Sequence, residues 1–363
     1  MNYKLSIIVP IEIDNATRFR INRLRYIISL FQDQNSIEIV VVNSGKQKKY
    51  KEQIKFLCKN VDNSKYISCQ MPEIYSAAQA RNIGVLGAEG DYILFFDVDL
   101  WVDKSFLDKV LMDIASFKRV EQYAIYPCYY LNEIFSKKIE QNYENIDFSE
   151  IKLRYLKGYN DQVLYLAVNT STLLINKKHF NSIGRYNEDF VGHGYEDFEL
   201  IHRLYTEYPI IDRKDDYIID YKTNFPADYQ GFRKYFAYNA LPNFFEDKCT
   251  IHLWHPRPLT KKYYKHRTQN AILFTRLLEE SLKVDLSDKY IDRSILQDYK
   301  VYTENLLIRY GFNKKDYHGF FYLKYDSQKN IKWYKKINRK VRKLFFNPKQ
   351  FILDMEVFKF KNK

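Results

Sequence analysis

The first hundred residues alternate between short apolar runs and longer segments in which apolar residues recur at helical spacing. The apolar runs predict buried strands over residues 5–10, 37–42, 66–69 and 92–96. The spacing between them predicts helices over residues 18–31, 46–60 and 76–86. Because strands and helices alternate at these intervals, this part of the chain predicts a parallel α/β sheet with helices on both faces.

The pattern is less regular in the middle of the chain. Residues 103–117 predict a helix, and residues 124–130 and 163–175 predict strands. The polar stretch between these two strands, residues 132–160, is predicted to be an insertion. Another helix is predicted to begin at residue 196.

The last part of the chain changes character twice. Residues 205–247 are rich in aromatic and charged residues and are interrupted by prolines and a glycine, which predicts a mobile flap over a site. From residue 263 onward, apolar residues at helical spacing predict long helices. We therefore predict an α/β domain over residues 1–258 and a helical extension over residues 259–363.

The composition predicts a globular protein with reduced thiols. With 46% hydrophobic and 17% aromatic residues, the chain of 363 residues can bury a large core, which excludes a disordered protein. Its four cysteines are scattered without a Cys-x-x-Cys pair, which argues against a zinc site and a disulfide scaffold. No segment resembles a signal peptide or reaches the ~18 consecutive apolar residues of a membrane span, so we expect a soluble, cytoplasmic protein.

The net charge of +13 is concentrated in the C-terminal tail. Residues 329–363 contain 12 lysines and arginines and 2 acidic residues, and the rest of the chain is nearly balanced. Within the tail, residues 331–346 have a basic amphipathic pattern that predicts a helix on an anionic membrane surface, at ~1 kcal/mol per basic residue. The alternative is a solvated helix that docks on the body. Because the body lacks a strong positive field, we predict no nucleic-acid partner.

The apolar run over residues 92–96 ends in two aspartates, Asp97 and Asp99. A buried carboxylate without a partner is costly, so acids at the end of an apolar strand need a cation, a hydrogen-bond network or water. In an open parallel sheet, ligands bind beyond the carboxyl ends of the strands, where this pair would lie. The pair therefore indicates a divalent metal site, and the alternative is an acidic turn.

A second acidic cluster follows two glycines that flank His193. The glycines at positions 192 and 194 allow the backbone to approach a ligand closely. Glu196 and Asp197 then fall in the first turn of a predicted helix, where the helix dipole stabilises acids by ~0.3 to 1 kcal/mol. Helix capping is the alternative explanation, but two adjacent acids are more than a cap requires.

Two histidines, His252 and His255, lie on either side of a tryptophan and just before a proline-rich segment. Neutral imidazole is a good ligand for manganese-like cations, so this pair is a candidate for a metal site. The alternative is a hydrogen-bonded pair in the core. The chain has neither a Gly-x-Gly-x-x-Gly nor a Walker motif, which argues against a dinucleotide-binding fold and a phosphate-loop ATPase.

In this order, the motifs resemble those of inverting, family-2-type glycosyltransferases with the GT-A fold. The resemblance covers about residues 3–258 and is strongest for chondroitin-polymerase-like capsule enzymes and β-1,4-galactosyltransferases. It rests on the motifs Ser6–Pro10, Ala80–Gly84, Phe96–Asp99, Gly184–Tyr186, Gly194–Asp197 and His252–His255.

The resemblance implies a mixed α/β sheet of the GT-A type, flanked by helices and followed by a C-terminal helical extension. It also implies transfer of a hexose or an N-acetylhexosamine from a UDP-sugar to a capsule or lipo-oligosaccharide acceptor. The donor-binding residues that it implies are Pro10, Asn43, Ser44, Arg81, Asp97 and Asp99. Such enzymes often carry an aspartate where this chain has Asn43, which puts that base contact in doubt.

A divalent cofactor, Mn²⁺ or Mg²⁺, is implied by the same resemblance. Asp99 would bind the metal directly, and Asp97 would lie near the ribose or a metal-bound water. His255, or with less support His252, would complete the coordination. A cation at the phosphates would offset the negative charge that the nucleoside diphosphate gains as the glycosidic bond breaks.

The second acidic cluster would supply the catalytic and acceptor-binding residues. Inversion needs a carboxylate that takes the proton of the acceptor hydroxyl during its attack, and Asp197 matches this general base. Glu196 would hold an acceptor hydroxyl, and His193 and Tyr195 would also contact the acceptor. Because His193 stands where relatives often have a tryptophan, we expect a different choice of acceptor.

Two other functions remain open. The chain could be a catalytically silent module that binds a sugar or a nucleotide. It could also be a sugar nucleotidyltransferase, although it lacks a glycine-rich activating loop after the first strand. The expected location is the cytoplasm, with peripheral attachment to the cytoplasmic face of the inner membrane through residues 329–363 as an open alternative.

Overall fold

The computed structural model describes most of residues 4–325. The positions in that range outside the description are 33, 143–145, 169–171, 258–261, 285, 287, 288, 290, 292 and 293. Beyond that range, the structure describes residues 341, 344, 345, 348 and 351. The predicted basic helix over residues 331–346 therefore lies outside the described residues, apart from three exposed positions, Val341, Leu344 and Phe345.

The described residues form an alternating series of strands and helices. The strands are β1 (Leu5–Ile11), β2 (Ile37–Asn43), β3 (Ser64–Ser68), β4 (Tyr92–Phe95), β5 (Leu100–Trp101), β6 (Tyr123–Ile125), β7 (Cys128–Leu131), β8 (Val163–Ala167), β9 (Leu173–Asn176), β10 (Asp220–Tyr221), β11 (Gln230–Gly231) and β12 (Thr250–His252). The α-helices are α1 (Arg20–Phe31), α2 (Lys48–Lys59), α3 (Ala77–Gly87), α4 (Phe106–Ser116), α5 (Glu133–Gln141), α6 (Phe148–Leu156), α7 (Lys177–Ser182), α8 (Glu196–Glu207), α9 (Phe232–Phe245), α10 (Lys262–Lys265), α11 (Arg267–Ser281) and α12 (Tyr299–Arg309).

The central sheet has six strands in the order β3-β2-β1-β4-β9-β6. The strands β3, β2, β1 and β4 are parallel, whereas β9 runs antiparallel to both β4 and β6. Every residue of β1 and β2 is buried, as expected of strands that are covered on both faces. The parallel arrangement predicted for the first hundred residues is confirmed. The sheet as a whole is mixed, as the resemblance to GT-A enzymes implied.

Two predicted strands are each divided between two sheets. Residues 124–130 contribute to β6 and β7, which Pro127 separates because proline cannot donate a ladder hydrogen bond. Residues 163–175 contribute to β8 and β9. A second sheet has the order β5-β12-β7-β8, and its pairing places His252 opposite Leu100. This sheet thereby brings the histidine motif next to the two aspartates that follow β4.

The region 205–247 was wrongly predicted to be a mobile flap. It contains α9, in which residues such as Phe232 and Phe244 are fully buried. Buried residues occur on all sides of this helix, which is the pattern of a core helix. Gly231 precedes it with a φ of +62°, and a Cβ there would lie 1.7 Å from the Ile219 carbonyl oxygen. The glycine therefore marks a tightly packed helix start and not a hinge.

Helices α11 and α12 pack into the core of the body. The ring of Phe274 in α11 is buried and contacts the rings of Phe198 and Phe232. Leu307 of α12 is fully buried as well. The helices predicted after residue 258 are therefore packed against the α/β body, and the domain boundary itself stays a prediction. Within the described residues, no helix has both the length and the hydrophobicity that crossing a membrane requires.

Candidate active site

A cavity of about 560 Å³ lies at the carboxyl ends of β1 and β4. This volume is in the range of roughly 300 to 1,000 Å³ that is typical of small-molecule sites. The cavity brings together residues from all three predicted motifs. The predicted site residues that line it are Pro10, Arg81, Asp97, Asp99, His193, Tyr195, Glu196, Asp197, His252 and His255.

Asp99 is buried between two arginines of α1. One carboxylate oxygen forms an ion pair with Arg23, and the other lies 3.1 Å from Nη2 of Arg20. Burial favours the neutral acid, but the charges of Arg20, His255 and Arg23 outweigh it and hold the pKa of Asp99 well below its usual range. Asp99 is therefore a permanent anion whose charge is compensated within the protein.

Arg23 connects Asp99 to two other parts of the chain. Its Nε donates to Glu140 of α5 at 2.7 Å, and its Nη2 donates to the Trp254 carbonyl oxygen at 2.9 Å. The sequence analysis did not predict a role for Arg20 and Arg23. Their spacing of three residues, which places both on one face of the helix after β1, could have indicated one. The arginine fixes the aspartate and the histidine segment relative to each other.

The two histidines have different surroundings. His252 is buried and stacks on Tyr130, with ring centroids 4.3 Å apart. His255 has its Nε2 3.7 Å from Oδ2 of Asp99 and its Nδ1 3.1 Å from the Pro256 carbonyl oxygen. Burial lowers the pKa of both imidazoles. Because a carbonyl oxygen can only accept, Nδ1 of His255 is the donor to Pro256, and Nε2 is the nitrogen that faces Asp99.

The predicted metal site is assembled only in part. Among the described residues, no group of three or more His, Cys, Asp or Glu side chains converges on one ion position. The 3.7 Å between Asp99 Oδ2 and His255 Nε2 lies between the roughly 3.0 and 4.2 Å that separate neighbouring and opposite ligands about 2.1 Å from an octahedral ion. Asp97 is bonded to Arg81, and His252 is stacked. Both oxygens of Asp99 are already paired with Arg20 and Arg23, so a cation held by Asp99 and His255 would have to share the carboxylate with these arginines.

Arg81 of α3 joins the two acidic clusters. Its buried guanidinium donates to Asp97 from Nη2 and to Asp197 from Nη1, each at 2.9 Å. Oε1 of Glu196 lies 3.7 Å from the same Nη1. The guanidinium carbon is 5.2 Å from the centre of the Tyr186 ring. The predicted donor-binding arginine is thus bonded to carboxylates from both sides of the cavity.

One oxygen of Asp197 is anchored and the other is accessible. Oδ1 accepts hydrogen bonds from Arg81 and, at 3.3 Å, from the Tyr186 hydroxyl. No described residue donates to Oδ2, and 25% of the side chain is exposed. Burial raises the pKa of Asp197, with a further contribution from Asp97, although Arg81 opposes the shift. The carboxylate therefore takes up a proton more readily than an ordinary aspartate does.

Glu196 is more deeply buried than its neighbour. Burial, together with the charge of Asp197, raises the pKa of Glu196 to about 8. Its Oε2 has no hydrogen-bond partner among the described residues. Glu196 is therefore mostly protonated at neutral pH and can donate a hydrogen bond to a group in the cavity.

The glycine loop, residues 191–195, lies against the segment that follows residue 262. A Cβ on Gly192 would be 2.6 Å from the Tyr263 carbonyl oxygen, which also accepts the His193 N–H at 2.9 Å. The side chain of Asn270 donates to the Gly194 carbonyl oxygen at 2.9 Å. The glycines were predicted to permit close approach to a ligand, and the close approach in the structure is to the chain itself.

His193 and Tyr195 both line the cavity, as predicted for acceptor contacts. Nε2 of His193 is 3.3 Å from Nη1 of Arg267. Burial and the charges of Arg267 and Arg257 lower the pKa of His193 to about 3, so this imidazole is neutral. Tyr195 has a left-handed φ of +78° and donates its hydroxyl to Asp220 at 2.8 Å.

Two predicted donor-binding residues, Asn43 and Ser44, lie outside the residues that line the cavity. Oδ1 of Asn43 accepts the Gly45 N–H at 2.9 Å, and its Nδ2 donates to the Tyr66 hydroxyl at 3.2 Å. Ser44 is buried and donates its N–H to the Ile11 carbonyl oxygen. Both residues hold the turn after β2 against the end of β1.

Several lining residues were missed in the sequence, and most of them lie at or after the predicted boundary at residue 258. They are Tyr75, Arg257, Tyr263, Tyr264 and Arg267. The adjacent tyrosines, Tyr263 and Tyr264, lie among charged residues, and this pattern could have indicated a part of the site. They were assigned to a helical extension because their local pattern is helical.

Comparisons with known proteins found a matching family model and 270 matching chains of solved structures, two of which are crystal structures of S. aureus TarS. A family model described as glycosyltransferase like family 2 matches residues 6–284. A crystal structure of S. aureus TarS 1-349 has 19% identity and a TM-score of 0.36, and another of S. aureus TarS has 17% identity and a TM-score of 0.35. Both similarities cover 56% of this chain, but they span only 55% and 33% of those chains. Similarities this weak carry no argument about function. A search of curated proteins found no match.

Proposed function

Because the chain belongs to glycosyltransferase-like family 2 and is a glycosyltransferase with the GT-A fold, we propose that it transfers a hexose or an N-acetylhexosamine from a UDP-sugar to a glycan hydroxyl with inversion. The observation that carries this mechanism is the environment of Asp197. One of its oxygens is anchored by Arg81 and Tyr186, and the other is accessible from the cavity. This arrangement suits a general base.

In the proposed reaction, the acceptor hydroxyl oxygen attacks the anomeric carbon while its proton passes to Oδ2 of Asp197. The bond from the anomeric carbon to the diphosphate oxygen breaks on the opposite face, and the leaving group keeps that electron pair. The raised pKa of Asp197 supports its assignment as the proton acceptor. Glu196, protonated at neutral pH, holds an acceptor hydroxyl, and His193 and Tyr195 contact the acceptor sugar.

The donor is proposed to bind at the carboxyl end of β1, beside Pro10, Asp97 and Asp99. Arg81 positions Asp97 through their hydrogen bond. A Mn²⁺ or Mg²⁺ ion bound by Asp99 and His255 would offset the negative charge of the leaving diphosphate. The base contact proposed for Asn43 and Ser44 has less support, because neither residue is among those that line the cavity.

A nucleotide-sugar panel tests this function. The purified protein is incubated with UDP-, GDP- and CMP-linked sugars and Mn²⁺, and release of the free nucleotide is measured. Slow hydrolysis of a UDP-sugar is expected, with faster release when a glycan acceptor is added. A silent binding module would release no nucleotide. A sugar nucleotidyltransferase would instead release pyrophosphate from a nucleoside triphosphate and a sugar phosphate.

The proposal also names a class of acceptor and a cellular location for the protein. A capsule or lipo-oligosaccharide acceptor is supported by the motif resemblance, and the cytoplasmic face of the inner membrane by the basic tail over residues 329–363. Flotation with anionic liposomes tests the tail, using the full chain and a chain that ends at residue 328. Equal flotation of both would contradict membrane attachment through the tail.

A further inference from the structure

Helices α1, α2 and α4 cover one face of the central sheet. Their buried residues pack on the strand residues Ile7, Val9 and Val41, whereas the alternate residues, such as Ile8 and Val40, point to the other face. Helices α6, α8, α9, α11 and α12 pack into the core on that other face. The outer sides of α1 and α2 are therefore left uncovered by the described part of the chain.

The outer side of α2 is strongly basic, although the body of the chain is nearly balanced in total charge. Residues 46–59 contain six lysines and one acidic residue, Glu52, which gives this segment a net charge of +5. None of the six lysines lies within the 4.0 Å limit of an ion pair with a described carboxylate. Five of them are exposed, namely Lys46, Lys48, Lys49, Lys55 and Lys59. The neighbouring helix α1 adds the exposed Arg25.

Phe56 lies in the middle of this basic side of α2. Residues three, four and seven positions apart share one side of a helix, so Phe56 points outward with Lys49 and Lys59. Ile54 and Cys58, by contrast, are buried against the sheet. Phe56 is 67% exposed. We call this surface the α2 face and define it by the residues Lys46, Lys48, Lys49, Lys55, Phe56 and Lys59.

We propose that the α2 face binds an anionic lipid membrane. Lysines near such a membrane each contribute to binding through its negative surface potential, and an aromatic side chain among them can enter the headgroup region. The phosphate backbone of a nucleic-acid duplex would balance the same charges, but it would leave the Phe56 ring in water. A membrane accommodates both the charges and the ring, so their combination favours a lipid surface.

The α2 face begins beside the edge of the sheet that holds the cavity. Strands β1 and β2 pair in parallel along their whole length, so β2 ends with Asn43 at the same edge as β1. Lys46 and Lys48 follow that end, and Lys59 lies toward the opposite edge. No residue of the α2 face lines the cavity. A membrane on this face would therefore lie alongside the cavity and leave its lining residues accessible to substrates.

The first measurement is co-sedimentation of the full chain with vesicles of phosphatidylcholine that contain one quarter phosphatidylglycerol. A triple variant that combines Lys48→Gln, Lys55→Gln and Lys59→Gln should bind these vesicles roughly 100-fold more weakly than the wild type. Binding of the wild type should also weaken at high salt, which screens the charges.

The matched control is a triple variant with the same change in net charge on the other side of the molecule. It combines Lys157→Gln, Lys178→Gln and Lys300→Gln, three exposed lysines next to residues that pack into the core on the other face of the sheet. This control should bind the vesicles as the wild type does. All six lysines are exposed, so the fold should be kept, and equal thermal unfolding midpoints check this.

The second measurement tests whether Phe56 itself enters the membrane. Phe56→Ala should weaken vesicle binding by about tenfold, because an apolar ring is no longer removed from water. Phe56→Trp should add fluorescence that shifts to shorter wavelength with vesicles and is quenched by brominated lipid. Ile308→Trp is the control, since Ile308 of α12 is 66% exposed on the other side of the molecule, and its fluorescence should not be quenched.

The proposal is overturned if the two triple variants bind the vesicles equally well, or if the fluorescence added by Phe56→Trp is not quenched. Loss of RNA binding with unchanged vesicle binding in the α2 triple variant would assign the face to nucleic acid and would overturn it as well. These measurements need no sugar transfer and no change in the tail over residues 329–363. Their failure would therefore leave the proposed transferase function untouched.

Discussion

Asp99 and Glu196 are almost equally buried, at 5% and 6% exposure, yet their pKa values shift in opposite directions. One acid, Asp99, meets the two arginines of α1. In the other cluster, three acids, Asp97, Glu196 and Asp197, surround the single guanidinium of Arg81. Burial acts to raise the pKa of Asp99, Glu196 and Asp197 alike. The number of cations per acid therefore decides which carboxyl stays ionised.

This difference in charge balance suits the two acidic clusters to different functions. An acid with an excess of cations keeps its charge and suits an anchoring role on the donor side. Acids that share too little positive charge take up protons readily, which a general base must do. The comparison predicts that changes in the Arg81 cluster alter proton transfer, whereas changes at Asp99 alter donor binding.

The substitution Asp197→Asn is expected to have the largest effect, a loss of sugar transfer. The amide keeps the size and the hydrogen bond to Arg81 but cannot take the acceptor proton, so kcat should fall by roughly 10² to 10⁴. Donor affinity, measured by calorimetry, should be retained. Asp99→Asn should show the opposite pattern, with weaker donor binding as its main effect.

The matched control for this pair is Asp189→Asn, which changes an exposed aspartate in the segment before the glycine loop. It should leave both kcat and donor affinity unchanged. Full transfer activity of Asp197→Asn would remove this residue from the role of base.

The next largest effect is expected for Arg81→Met. Removal of one partner from a buried ion-pair network costs about 3 to 5 kcal/mol, because charges remain without compensation. Protonation of the carboxyls relieves this cost, so the loss should be larger at pH 8 than at pH 5. Denaturant unfolding at both pH values measures it. Arg119→Met, which breaks an exposed pair with Glu121, should cost no more than about 1 kcal/mol.

The parallel strands and the place of Asp97 at their carboxyl ends were predictable from the sequence for a simple physical reason. Parallel strands that are buried on both faces read as continuous apolar runs, and β1, β2 and β4 have this pattern. Motifs at the carboxyl ends of such strands meet at one edge of the sheet. Asp97 was therefore expected at this edge, whereas the position of Asp197 in the same site was implied by the resemblance to glycosyltransferases.

The charge balance was not predictable in the same way. Arg81 and Asp197 are 116 residues apart in the chain, and Arg23 lies 231 residues before the Trp254 carbonyl that it contacts. A pattern of hydrophobic positions carries no information about such distant ion pairs. The buried α9 was missed for a related reason, since its aromatic and polar residues give no clear apolar face.

A smaller effect is expected on the pH dependence of stability in Glu196→Gln. Because the pKa of Glu196 rises from 4.5 to about 8 on folding, its contribution to stability is present below pH 4.5 and is lost as the pH rises through 8. Between pH 5 and 8, the variant should gain about 1 kcal/mol per pH unit relative to the wild type. Denaturant unfolding measures this difference, which should be absent for Glu52→Gln on the exposed side of α2.

The smallest predicted effect is a shift of the acidic limb of kcat/KM in Asp97→Asn. The negative charge of Asp97 helps to raise the pKa of Asp197, so its removal should lower that pKa and extend activity to lower pH. The shift should be less than about one pH unit, because Arg81 and burial remain. The amide oxygen can still accept from Arg81, so the geometry of the cluster is kept. A limb that moves to higher pH, or does not move at all, would show that charge sharing through Arg81 does not set the pKa of the base.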